Sequence, residues 1–240
     1  MNKIEQLQEQ LADSQKIVFF GGAGVSTESG IPDFRSSEGL YMQDSGMQVS
    51  SEEIISHTFY KRYPKEFFAY YFKNLVFEDA EPNEAHAFLK DLEDQGKDIS
   101  IVTQNIDGLH QKAGSTTVHE LHGSTLRNYC TNCGNKYEIS ELELDEDGIP
   151  KCPNDGAIVR PDIVLYEEGL DQGVIQAAVK DISEADMLMI AGTSLVVYPA
   201  AGLINYFNGD YLVAINKSPI RIPENTLMFE DSISNVFSKL

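Results

Sequence analysis

The apolar run that ends at Phe20 stops at Gly21-Gly22-Ala23-Gly24, and this junction constrains the chain more than any other stretch. Lys16 to Phe20 reads as a buried strand, too short for a helix, and the glycines at its end permit a tight turn. Ile4, Leu7 and Leu11 recur before it at helical spacing, so the chain opens as helix, strand, glycine turn. Further strand-like runs lie at 99–103, 117–121, 163–166, 187–192 and 211–216. Helix-like patterns separate several of them: NEAHAFLKDLEDQG closes on Gly96, and GVIQAAVKDISEAD runs straight into the 187 strand. Strands alternating with helices need crossover connections. The expected fold is therefore α/β, a doubly wound, mostly parallel Rossmann-like sheet.

One region breaks the alternation. Residues 126–160 hold all three cysteines and the acidic stretch ELELDEDG, with little periodicity and too little apolar content for a core of their own. They are expected to form a small zinc-ribbon-like module inserted into a Rossmann-like domain made of 1–125 and 161–240. Within that domain, residues 31–50, rich in Ser, Gly, Gln and Asp, read as a mobile loop over a site or as a passive surface loop. Residues of about 51–80 read as a helical insert.

Charge excludes some classes of function. The 38 acidic against 18 basic residues give a net charge of -20, which repels a phosphate backbone and argues against nucleic-acid partners. Such a surface tolerates basic partners such as lysine-rich peptides, although solubility alone also explains it. The longest apolar runs are far too short to span a bilayer. The polar N-terminus lacks the apolar core of a secretion signal. An odd cysteine count, two of them as Cys-x-x-Cys, suits a reducing cytoplasm and a metal or redox role.

The glycine turn suggests a nucleotide, because glycine lets backbone N–H groups approach a pyrophosphate at a helix start. It departs from the dehydrogenase fingerprint. After Gly22 and Gly24 the third glycine position holds Thr27, and no acidic residue follows a second strand at the usual distance. A structural turn would also explain the pair.

The continuation decides between these readings. GAGVS, GIPDFRS, TQNIDGLHQKAG, ELHG, CTNC, RPDIVLYEE, GTSLVVYPAA and the pair Ile215-Asn216 stand in the order and approximate spacing found in the sirtuins, NAD-dependent protein lysine deacylases. From about residue 16 to 220 the chain resembles that family, in a minimal bacterial-type form.

The resemblance implies a deacylase, deacetylation first, that transfers the acyl group of an acyl-lysine to ADP-ribose and releases nicotinamide. It implies His122 as general base, Asn105 positioning a water or the ribose, and NAD contacts from Gly22, Ala23, Gly24, Thr27, Phe34, Arg35, Gln104, Ile106, Asp107, Gly192, Thr193, Ser194 and Asn216. An acyl-peptide would add as a strand between the segments of Val164, Leu165 and Tyr166 and of Val196 and Val197. Desuccinylating members carry Tyr-x-x-Arg where Tyr71 and Asn74 stand here, so a neutral acyl group is expected. His57, His86, His110 and His119 match no catalytic position and read as structural.

Zinc is expected at Cys130, Cys133, Cys152 and Asp155, where the resemblance puts four thiolates. Asp is an admissible, harder ligand, and a metal-free module packed by other means is the alternative. The expected protein is a cytoplasmic monomer. Two other activities fit less well: mono-ADP-ribosyl transfer by the same NAD cleavage, and a non-catalytic NAD-sensing module.

Overall fold

The computed structural model of the chain describes residues 2–43 and 48–240, so residues 44–47 of the expected loop lie outside it. Helix α1 (Lys3–Asp13) begins at a reciprocal cap in which Asn2 Oδ1 accepts the Glu5 N–H and the Glu5 carboxylate accepts the Asn2 N–H. It buries Leu7 and Leu11 and leads into β1 (Lys16–Gly21). The helical insert follows as α2 (Ser51–Ile54), α3 (His57–Arg62) and α4 (Pro64–Asn74). Next come α5 (Glu84–Asp94), β2 (Asp98–Thr103), α6 (Leu109–Lys112) and β3 (Val118–Glu120). The cysteine region contributes β4 (Gly123–Cys130), β5 (Lys136–Glu138), β6 (Glu143–Leu144), β7 (Pro150–Lys151) and β8 (Val159–Ile163). The chain closes with α7 (Gln172–Glu184), β9 (Met187–Ala191), β10 (Tyr211–Ile215), β11 (Leu227–Phe229) and α8 (Ile233–Phe237).

Six strands form one sheet in the order β11-β10-β9-β1-β2-β3, every neighbouring pair parallel. The chain winds outward from β1 through β2 to β3, then returns to lay β9 against the other side of β1. Winding direction therefore reverses between β1 and β9, where open α/β sheets form their ligand crevice. Alternate residues of each central strand feed two cores. Ile17, Phe19, Ile101 and Met189 face one side, and Val18, Phe20, Val102 and Leu188 the other, all essentially inaccessible to water. Burial on both faces is what makes these strands read as continuous apolar runs.

One expected strand is displaced. The run at 163–166 is not a strand of the parallel sheet; β8 ends at Ile163 and pairs antiparallel with β4, which pairs in turn with β5. Beyond Ile163 the backbone turns away from a ladder: Val164 N–H donates to the His122 carbonyl at 2.9 Å and Leu165 N–H to the Glu168 carboxylate at 2.9 Å. Pro161 is tolerated because β8 is an edge strand.

Both β4 and β8 cross the sequence limits at 126 and 160. The cysteine region also shares a core with the helical insert, where Tyr60, Phe67, Phe68 and Tyr71 pack with Ile149, Ile163 and Leu165. Around the cysteines themselves, among the described residues, only Cys130, Cys152 and Val159 are buried together. Among the described residues no helix is long and apolar enough to cross a membrane.

Candidate functional site

A cleft of about 690 Å³ opens at the carboxyl ends of β1, β2, β9 and β10, the reversal point of the sheet. Its floor is two glycine turns packed backbone to backbone. Gly22 N–H donates to the Ala191 carbonyl at 3.2 Å and Gly24 N–H to the Gly192 carbonyl at 2.8 Å. A Cβ on Gly24 would lie 2.7 Å from Gly192 Cα, and Gly192 itself holds a φ of 59°. The glycines thus meet a steric need of the turn–turn contact. Two N–H groups that the sequence reading offered to a pyrophosphate are engaged within the protein.

Ser26 ties the first glycine turn to the Asn105–Asp107 segment and is almost fully buried. Its hydroxyl donates to Asp107 Oδ2 at 2.7 Å and accepts from Asn105 Nδ2 at 3.1 Å. Asp107 Oδ1 takes the Leu109 N–H at 2.9 Å, and Asn105 N–H donates to Thr103 Oγ1 at 3.0 Å. Gln104 is held at both ends: its N–H donates to the Gly21 carbonyl at 3.0 Å and Nε2 to Thr193 Oγ1 at 3.0 Å. Every polar side chain of the Gln104–Asp107 segment therefore has a fixed direction before any ligand arrives. Sequence reasoning missed Ser26, although GAGVS contains it.

His122 follows β3 and lines the same cleft. Its Nδ1 lies 2.9 Å from the Gln104 carbonyl, which can only accept, so Nδ1 carries the proton and Nε2 is left with a free lone pair. Burial pulls the imidazole below its ordinary pKa, and the hydrogen bond to Gln104 partly offsets this. A neutral imidazole, fixed in one tautomer with its basic nitrogen unengaged, can accept a proton near neutral pH.

Gly22, Ala23, Gly24, Thr27, Phe34, Arg35, Ile106, Ser194 and Asn216 also line the cleft, as do Val164, Leu165, Tyr166 and Val197. Two expected site residues stand apart. Val196 is 56% exposed outside the lining. Tyr71 is fully buried, its hydroxyl donating to the Thr125 carbonyl at 3.4 Å, whereas Asn74 reaches the cleft. The remaining histidines do not line it: His119 binds Asp181 at 2.6 Å, His57 binds Glu168 at 2.7 Å, and His86 and His110 pack together in the interior. Lys217, Asp231 and Phe77 line the cleft without having been singled out in the sequence.

A second cluster lies away from the cleft. One donor atom each from Cys130, Cys133, Cys152 and Asp155 lie within 4.8 Å of one another. Cys133 Sγ is 3.6 Å from Cys152 Sγ, and Cys130 Sγ is 3.4 Å from Asp155 Oδ1. Bond lengths of about 2.3 Å to sulfur and about 2.0–2.2 Å to oxygen give tetrahedral edges of just these sizes, so the set fits one zinc ion. Asp155 is kept ionised chiefly by the Ala157 N–H, with the Asn132 amide adding to it. The Cys130 sulfur accepts from the N–H groups of Asn132 and Cys133, each at 3.4 Å, which orients it toward the shared centre.

Residues 22–199 match the model of the Sir2 family. The chain is 54% identical over 237 residues to an NAD-dependent protein deacetylase of Clostridium acetobutylicum, covering 98% of this chain and 97% of that one. It is likewise 54% identical to an NAD-dependent protein deacetylase of Clostridium perfringens, covering 100% and 98%. Among solved structures, a Sir2 with p53 peptide and NAD+ superposes with a TM-score of 0.86 at 33% identity, covering 100% of this chain and 97% of that one. A Sir2 bound to acetylated peptide gives a TM-score of 0.85 at 32% identity, again covering 100% and 97%. With a family match over most of the chain, near-complete coverage of relatives and superposition along its whole length, this protein belongs to the Sir2 family.

Proposed function

We propose that this chain is an NAD-dependent protein deacetylase in which His122 is the general base. The observation that carries the base assignment is the His122 Nδ1–H bond to the Gln104 carbonyl, which leaves Nε2 free beside the Gln104–Asp107 segment. NAD supplies an electrophilic ribose carbon whose leaving group is nicotinamide, and the acyl amide oxygen of the substrate is the nucleophile. The chain's own work is to orient and to move one proton. Asp107, tied to Ser26 and Leu109, offers its remaining lone pairs to the nicotinamide amide. Gln104 faces the ribose, Asn105 positions ribose or water, and Phe34 shields the reacting carbon from bulk water. His122 Nε2 accepts a proton from a ribose hydroxyl, freeing that oxygen to take over the acyl group. Holding both reactants in one cleft supplies up to about 7–11 kcal/mol of the barrier.

Asn74 at the cleft wall is neutral, so an acidic acyl tail finds no bidentate cation there. On matched peptides with NAD, acetyl removal should exceed succinyl removal by at least about tenfold, from one lost charge-assisted contact. Comparable rates would reject this reading of Asn74. Zinc at Cys130, Cys133, Cys152 and Asp155 would supply folding energy to a module with few buried apolar side chains, and a closed four-ligand site has no catalytic position. Metal analysis of chain purified without chelator should return about one zinc per chain, as one four-ligand site requires. We further read the protein as a cytoplasmic monomer, its location from the odd cysteine count, and as indifferent to nucleic acid on the strength of its net charge of -20. A dimer mass in sedimentation, or a DNA gel shift at physiological salt, would reject the corresponding part.

A further inference from the structure

We propose that Tyr166 is a positioning residue for the loop that carries Phe34 and Arg35, although it stands in the segment read as the peptide's partner. The proposal rests on the reading of that loop as an NAD contact. The main chain of Tyr166 is already committed: its N–H donates to the Ile55 carbonyl at 3.1 Å, and its carbonyl accepts from the His57 N–H at 3.0 Å. This bridge fixes the residue to the helical insert, so the ring projects from a rigid base.

The ring ends on the loop. Tyr166 Oη lies 2.8 Å from the Tyr41 hydroxyl and accepts from Arg35 Nη2 at 3.2 Å. One phenol oxygen has lone pairs enough to accept from the guanidinium and still share a proton with the second phenol. Tyr41 in turn holds the loop's shape. Its N–H donates to the Phe34 carbonyl at 2.9 Å, its ring centroid lies 5.3 Å from that of Phe34, and the Arg35 guanidinium carbon sits 5.1 Å from the Tyr41 ring centre. The Leu40 N–H closes the same turn onto the Asp33 carbonyl at 2.8 Å. The other charged partner of Arg35, Glu52, is 3.8 Å away and half exposed, a weak tether in water. The Tyr166 hydroxyl is therefore the anchor through which Phe34 and Arg35 face the cleft. Phenylalanine at this position would keep the ring and lose both hydrogen bonds.

The test is titration calorimetry on the full chain, with NAD and an acetyl-lysine peptide as separate probes, so it does not depend on turnover. For Tyr166→Phe the NAD dissociation constant should rise about three- to thirtyfold, the effect of losing one or two polar contacts. Peptide affinity should move less than about twofold, because the variant keeps the aromatic ring and the backbone bonds that fix Tyr166 to the helical insert. Tyr41→Phe, which keeps the Arg35 bond, should give part of the NAD effect, and the double variant should add little to Tyr166→Phe, since both remove one shared contact. Unchanged NAD affinity in Tyr166→Phe, a loss confined to the peptide, or full additivity of the two variants would overturn the proposal. Failure of the unaltered chain to deacetylate the peptide would reject the deacetylase reading alone.

Discussion

As the proposed base, His122 owes its protonation state to what surrounds it. Burial favours the neutral ring, and the Gln104 carbonyl fixes the proton on Nδ1. A base must be unprotonated to act, so activity is present above the depressed pKa and is lost as pH falls through it. The acid limb of kcat/KM for an acetyl-peptide should have its midpoint below the ordinary histidine value of about 6.5. A midpoint at or above about 7 would mean that burial does not govern this ring. His122 was legible because ELHG could be placed beside the other motifs. Ser26 was not, because a serine in a glycine turn is unexceptional until Asn105 and Asp107 fold onto it from some eighty positions away. The glycines were found for a reason that needs amending: Gly22 and Gly24 bring two turns into contact, and their N–H groups serve that contact.

At the level of elements, the periodic ones were readable and the irregular ones were not. Strands buried on both faces, such as β1 and β9, announce themselves as apolar runs, and α5 does so through its spacing and the left-handed Gly96 beyond its end. Val164 and Leu165 carry the same signal, yet His122 and Glu168 take their N–H groups, a competition no local pattern reveals. The segment that follows holds a measurable strain. Glu167 adopts a φ of 75°, unfavourable for any side chain, while its carboxylate caps α3 by accepting from the Thr58 N–H at 2.9 Å and the Thr58 hydroxyl at 2.7 Å. Glu167→Ala loses the cap and keeps the strain, and should lower the urea midpoint of the chain. Glu167→Gly loses the same cap but relaxes the backbone, and should be more stable than the alanine variant by about 1 kcal/mol. Urea midpoints of the two variants measure the difference; an alanine variant as stable as the glycine one would show that the position is unstrained.

Across the whole molecule, the alternation of strands and helices foretold a parallel sheet, and the strand order β11-β10-β9-β1-β2-β3 supplies what alternation alone leaves open, the point where winding reverses. Segments far apart in the chain, around Gly24, Asn105, His122, Gly192 and Asn216, meet at that point because each follows a strand of one sheet. The cysteine region lies outside this scheme and leans on the helical insert for its core, which is why it showed little periodicity and too little apolar content of its own. The proposed mechanism joins the reversal-point cleft to one proton transfer at His122. Mass analysis of the products formed from NAD and an acetyl-lysine peptide, by the unaltered chain and by His122→Ala, tests it most directly. That mechanism gives nicotinamide and O-acetyl-ADP-ribose in equal amounts from the unaltered chain, with the rate of O-acetyl-ADP-ribose formation lowered about 10²–10⁴-fold in the variant. ADP-ribosylated protein in place of O-acetyl-ADP-ribose, or an undiminished rate in His122→Ala, would contradict it.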